Sequence, residues 1–154
     1  MFFLNKCALG AAMAFGLAGC EVPVMIAADA NGGQMTGMFE ITFPAALLVQ
    51  TADGNEEFLT GDLRGYANGN SNFSFTGPTY GKCEGSSTSA GDMVMSCDNG
   101  LEWDHSLGRQ RAKMTGTFVL DGTSEGIGYV GAMGWGNDAN EAAVRLAIAE
   151  AQAG

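Results

Sequence analysis

The sequence is poor in histidine, in positive charge and in long apolar runs, and each shortage removes a class of function. A single histidine, His105, occurs in 154 residues. Any histidine-based nucleophilic triad would have to use it. Ser86, Ser87 and Ser89 lie in the stretch GSSTSAG, which reads better as the flexible crown of a loop. Only 7 Lys and Arg stand against 17 Asp and Glu. That balance argues against nucleic acid, because phosphate contacts need cations that release counterions. It argues equally against adsorption to anionic lipid by charge alone. Neither CxxC nor GxxxxGK[ST] is present. The run Cys7–Leu17 has eleven residues without a charge, well short of the about 20 helical residues that span a bilayer.

The polar clusters that do occur are weak candidates for chemistry. Glu102-Trp103-Asp104-His105 is the densest. On a strand its acids share one face while Trp103 and His105 share the other. One compact metal site is therefore not expected, and Trp103 should enter a core while the acids face water. Glu56 and Glu57 are adjacent, so on a strand they point apart. They read as surface acids rather than a glycosidase pair. Gly126, Gly128 and Gly131 spell GxGxxG, but inside a strand-like run rather than at a strand–turn–helix junction. These glycines are expected to let the strand curve or to let neighbouring aromatics lie over bare backbone. Tyr129 and Trp135 could alternatively form an exposed binding ridge. No catalytic, cofactor-binding or metal-binding residue is assigned, no cofactor is expected, and the protein is read as a non-enzyme.

What the sequence has in abundance is glycine, 24 residues of it, and short apolar or alternating runs. Strands are expected at 38–43, 46–51, 57–67, 72–77, 79–85, 92–97, 101–105, 111–120 and 126–135. Turns are expected at Asp53-Gly54, Asn68-Gly69-Asn70, Asp98-Asn99-Gly100 and Asp121-Gly122, residues that tolerate positive φ. DMVMSC puts Met93, Met95 and Cys97 on one face, Val94 and Ser96 on the other. From Asp138 the chain becomes rich in alanine and other helix formers. Asp138 could cap, with Glu141 answering three residues later. Glu141 and Arg145 make an i,i+4 pair, and Val144, Ala147, Ile148 and Ala151 form an apolar stripe. The predicted architecture is mainly β: an antiparallel meander sheet or small barrel with one C-terminal helix.

The N-terminus carries an address. Met1–Lys6 is a short head with one cation, the run Cys7–Leu17 fits the apolar core of a secretory signal, and the run closes on Leu17-Ala18-Gly19-Cys20. This quartet resembles the lipobox of bacterial lipoprotein precursors at all four positions. The resemblance implies cleavage before Cys20, a diacylglycerol on its sulfur and usually an acyl group on its new amino group. Several acyl chains anchor stably where one does not. Glu21 follows where aspartate would favour inner-membrane retention, which implies the outer membrane. The expected organisation is a signal peptide over 1–19, a lipidated tether over 20–34, and one β domain over 35–154 with its helix from about 138. The piece VPVMIAA within the tether could instead lie in the lipid interface or pair as an edge strand. Export implies an oxidising compartment, where Cys83 and Cys97, the remaining pair, are expected to form a disulfide. A metal or redox pair is the alternative. A fainter similarity, over residues 79–136, links Cys83…Cys97-Asp98-Asn99-Gly100 and the glycine-rich hairpins to small bacterial lipoproteins. It implies a fold type only.

These readings make the protein an envelope lipoprotein anchored to the bilayer through Cys20, with a structural or partner-binding role. The acidic surplus would suit a basic envelope protein such as a cationic hydrolase. A hydrolytic enzyme is the remaining alternative. Nothing in the sequence sets the oligomeric state. Cys20→Ser should leave an uncleaved or soluble precursor, and the intact mass of the wild-type protein should show acyl addition; a wild-type mass without it overturns the anchor.

Overall fold

In a computed structural model the described residues are 21–109 and 111–154, so the signal peptide expected over 1–19 and Cys20 lie outside them. The sheet is organised by β2 (Glu40–Thr51), a strand whose Ala45–Val49 segment is apolar without alternation and buried throughout. Continuous apolar sequence of this kind belongs to a strand covered on both faces. Leu47 and Val49 join the larger core, while Leu48 packs with Ala132, Val144 and Ile148 in a second cluster.

From β2 the chain runs as a meander through β3 (Glu56–Tyr66), β4 (Ser71–Gly77), β5 (Gly81–Ser87), β6 (Asp92–Cys97) and β7 (Glu102–Ser106). After a long connection, β8 (Gly116–Ser124) and β9 (Ile127–Trp135) form a last hairpin. β9 returns to β2, in register from Ala45 opposite Trp135 to Thr51 opposite Tyr129. The strand order is β7-β6-β5-β4-β3-β2-β9-β8, every pair being antiparallel. β7 and β8 approach each other at the seam, so the sheet is a nearly closed barrel.

The expected strands at 38–43 and 46–51 are one strand. Pro44 looks like a breaker, but it lies opposite Asp62 of β3 and in a gap on the other edge of β2. There β1 (Gln34–Gly37) pairs as far as Thr42 from one side and β9 begins at Ala45 from the other. A residue without an N–H is tolerated where no ladder partner requires one. The strand expected at 111–120 begins only at Gly116, and the residues before it form a loop. Gly54, Gly69 and Gly100 have the positive φ expected of their turns. Asp121-Gly122 does not turn; it lies within β8. The hairpin turns at Glu125 and Gly126, φ 51° and 82°, as a two-residue connection with both central residues left-handed requires. Gly122 serves packing instead, since a Cβ there would lie 2.8 Å from the Tyr129 hydroxyl.

The segment 21–34 is docked rather than an extended tether. Helix α1 (Glu21–Ala30) places Pro23 in its first turn, where the missing N–H costs nothing. Ala28 is buried, and Asn137 Nδ2 donates to the Ala30 carbonyl at 3.2 Å.

Helix α2 (Glu141–Ala153) lies on β9, β8 and β2 and buries Val144 and Ile148, whereas Ala151 stays exposed. Its N-cap is Asn140, whose side chain accepts from the Ala143 N–H at 2.9 Å, and not Asp138. Asp138 ends a 3-10 turn and accepts instead from Thr115 Oγ1 at 2.8 Å. The Glu141–Arg145 pair forms, at 2.6 Å, and Arg145 reaches further to Glu56 on β3. That bond to the guanidinium, followed by one from Gln50, holds the Glu56 carboxyl below its ordinary range. A carboxyl depressed on folding stabilises the fold above its unfolded pKa, and the contribution disappears as pH falls through the folded value. Glu56→Gln should therefore cost up to about 1 kcal/mol at pH 7, both partners being partly exposed and screened. In chemical denaturation at several pH values, the difference from wild type should vanish well below the usual carboxylate pKa of about 4.3.

Candidate functional site: an apolar cup at one end of the barrel

The interior of the barrel is filled unevenly. An eight-stranded barrel has room either for its own side chains or for one small ligand. Around the seam and towards the end formed by the β2–β3, β4–β5, β6–β7 and β8–β9 turns, large residues take up the space. Trp103 and Tyr129 stack with ring centroids 5.4 Å apart, and Leu59, Phe75 and Leu101 pack in the same cluster. Trp103 lies over Gly131, where a Cβ would sit 2.5 Å from its ring. This is the expected use of a bare backbone by an aromatic. Burial raises the Tyr129 hydroxyl above its ordinary pKa, helped by the charge of Asp121.

Towards the opposite end the inward residues of β3, β4 and β5 are small. Gly65 lines the interior with its nearest prospective Cβ neighbour 3.9 Å away, and Ser71 and Ser87 satisfy each other at 2.8 Å. The result is a cavity of ≈ 670 Å³, within the range of about 300–1,000 Å³ typical of small-molecule sites. Phe43, Phe73, Met93 and Met133, all buried, line it, and Leu63 and Phe118 form part of the wall.

The rim has two kinds of surface. The β1–β2 turn exposes Met38 (84%) and Phe39 (65%), and Val24 of α1 also lines the cavity. Phe39 holds φ 63°, a left-handed conformation uncommon for a bulky residue, and its carbonyl accepts from the Ala67 N–H at 3.0 Å. The second kind is the connection between β7 and β8. The Leu107 N–H donates to Gly91 O at 2.9 Å, and Trp135 Nε1 donates to Lys113 O at 3.0 Å. Thr115 Oγ1 bonds the Trp135 carbonyl at 3.1 Å. These bonds hold the Arg111–Lys113 stretch at the mouth of the cup.

The residues singled out in the sequence fall elsewhere. Cys83 and Cys97 face each other across β5 and β6 and are joined by a disulfide. Ser86 and Ser87 belong to β5 rather than to a flexible crown, and only Ser89 lies in the turn. Glu102 and Asp104 are exposed, Trp103 is buried, and His105 Nε2 lies 3.3 Å from the Tyr129 hydroxyl. Among the described residues no three of His, Cys, Asp and Glu come together as a metal site. Glu56 and Glu57 do point apart, but Glu57 is not a surface acid. It is buried and accepts the N–H groups of Thr79 (2.9 Å) and Tyr80 (3.2 Å), two donors that the β4–β5 turn aims inward. Trp135 lies at the cup rather than in a free-standing ridge with Tyr129, which is buried.

Among the described residues no helix is long and apolar enough to cross a membrane. No family model, curated protein or solved structure matches the chain. The fold and cavity by themselves define a barrel plugged at one end and cupped at the other. The disulfide ties β5 to β6, which form part of the wall. Its reduction, or Cys97→Ser, should cost about 3 kcal/mol by the chain-entropy estimate for a loop of this length, read as a lowered denaturant midpoint; equal midpoints with and without reductant would show that the bridge adds no stability.

Proposed function

We propose that this chain is a lipid-anchored envelope protein whose barrel binds a small apolar or amphipathic molecule and performs no chemistry on it. The observation that carries the reading is the cup of ≈ 670 Å³, whose wall includes five methionines, four phenylalanines and two leucines. A cavity of that lining gains by removing apolar ligand surface from water, at about 25 cal/mol per Å² before the cost of association.

The anchor supports the same reading. Cys20 immediately precedes α1, and Val24 of α1 lies on the rim. Acyl chains on Cys20 would bring that rim to the bilayer surface, with Met38 and Phe39 towards the lipid. Exposed apolar residues of this kind gain free energy at an apolar boundary. In this arrangement the ligand is drawn from, or delivered to, the membrane.

Gly65→Phe tests the cup directly. The site has room for a Cβ and needs no positive φ, so the ring should fill the cavity without unfolding the barrel. Wild-type protein should bind the apolar dye 8-anilinonaphthalene-1-sulfonate saturably, one molecule per chain. The variant should keep its near-ultraviolet circular dichroism and lose about tenfold or more in affinity, about 1.4 kcal/mol. A folded variant that binds the dye as wild type does would overturn the proposal.

A further inference from the structure

The charges around the cup depart from those of the rest of the chain. Lys and Arg number 7 against 17 acids, so most cations should have a carboxylate within reach. Three of them do: Arg64 pairs with Glu40, Lys82 with Glu84, and Arg145 with Glu56 and Glu141. Arg109, Arg111 and Lys113 do not; among the described residues no salt bridge reaches them, and all three are exposed. They fall within five consecutive positions of the β7–β8 connection. Arg111 and Lys113 line the cavity, and no Asp or Glu lines it with them. An acidic protein thus places unneutralised cations at the mouth of an apolar cup, on a loop fixed to Gly91 and Trp135 by hydrogen bonds.

Resting on the cup as a ligand site, we infer that the ligand is an anionic amphiphile, a single alkyl or acyl chain ending in a carboxylate or phosphate. The chain lies on Phe73, Met93 and Met133, and the head meets Arg111 and Lys113 at the surface. The two parts suit each other physically. An apolar cavity accepts a chain of any head group. A charged head has to stay hydrated or meet cations, and charge-assisted hydrogen bonds are about twice as strong as neutral ones. Arginine offers a planar fork that matches both carboxylate and phosphate, and lysine adds a point charge. The position of the cations at the rim lets the head keep part of its water while the tail is buried, which avoids the cost of a fully desolvated ion pair. A free fatty acid and a phosphate-headed lipid share this chemistry. The surrounding negative charge of the protein adds selectivity, since an anion is attracted only where the local field is positive.

The experiment is calorimetric titration of the purified full-length protein with dodecanoate, dodecyl phosphate, dodecanol and inorganic phosphate. It compares wild type, the double variant Arg111→Gln/Lys113→Gln, and Gly65→Phe. Both exposed substitutions should leave the circular dichroism unchanged. The anionic chains should bind wild type about tenfold or more tightly than dodecanol, with an advantage that shrinks as salt screens the contact. The double variant should bind all three chains about equally, and Gly65→Phe should bind none of them well. A tighter carboxylate or a tighter phosphate ester identifies the source of the head group within the proposed class. Dodecanol binding as tightly as the anions in wild type would overturn the inference while leaving the cup intact. Inorganic phosphate binding as tightly as dodecyl phosphate would overturn it by making the tail irrelevant. Failure of every chain to bind wild type would overturn the cup reading, and the inference with it.

Discussion

The structure depends on covering both faces of β2. Its five consecutive buried residues, Ala45 to Val49, cannot be satisfied by a sheet with one wet face. The inner face is covered by curling the sheet until β7 approaches β8, which gathers Leu47 and Val49 into one core with Phe75 and Trp103, and the outer face by α2, whose Val144 and Ile148 pack with Leu48 and Ala132. Closure and helix docking are therefore two consequences of one stretch of sequence. The Arg145 bridge to Glu56 then fixes the helix to β3, the strand on the other side of β2.

Closure also divides the barrel into two ends with different fates. Alternation along each strand sends every second residue inward, and what those residues are decides whether space remains. Trp103, Tyr129 and Phe75 exhaust it in one part, to the point that Gly131 has to stay bare. Gly65, Ser71 and Ser87 leave it open in the other. A barrel selected for stability alone gains nothing from an open apolar volume, because close-packed contacts are lost around it. The cup is thus the feature of this fold that packing does not account for.

Electrostatics follow the same division. Glu57 accepts two turn N–H groups in the filled part and Arg64 and Lys82 are paired with acids, while among the described residues Arg111 and Lys113, which no salt bridge reaches, lie at the open mouth. The anchor expected at Cys20 would join the chain at that same mouth, next to α1. The hydrophobic interior and the cationic collar are parts of one arrangement.

Local sequence alone determined much of the fold. Six hairpin strands, three of four turns, the burial of Trp103 and the C-terminal helix follow from period-two alternation, left-handed turn residues and alanine content. These are properties of a few neighbouring residues. The quartet Leu17-Ala18-Gly19-Cys20 that resembles a lipobox is equally local, and what it implies concerns address rather than fold. The Cys83–Cys97 pairing is expected only once that resemblance at the N-terminus sets Cys7 and Cys20 aside. Tertiary structure decided the rest. Pro44 reads as a break until β1 and β9 are seen to leave a gap beside it, and Gly122 reads as a turn until Tyr129 is seen to cover it. Glu57 reads as a surface acid until the β4–β5 turn brings two donors to it. The cup was illegible for the same reason. Gly65, Met93, Arg111 and Met133 are far apart in the chain, and they become one site only when β9 pairs with β2 and the sheet closes on itself.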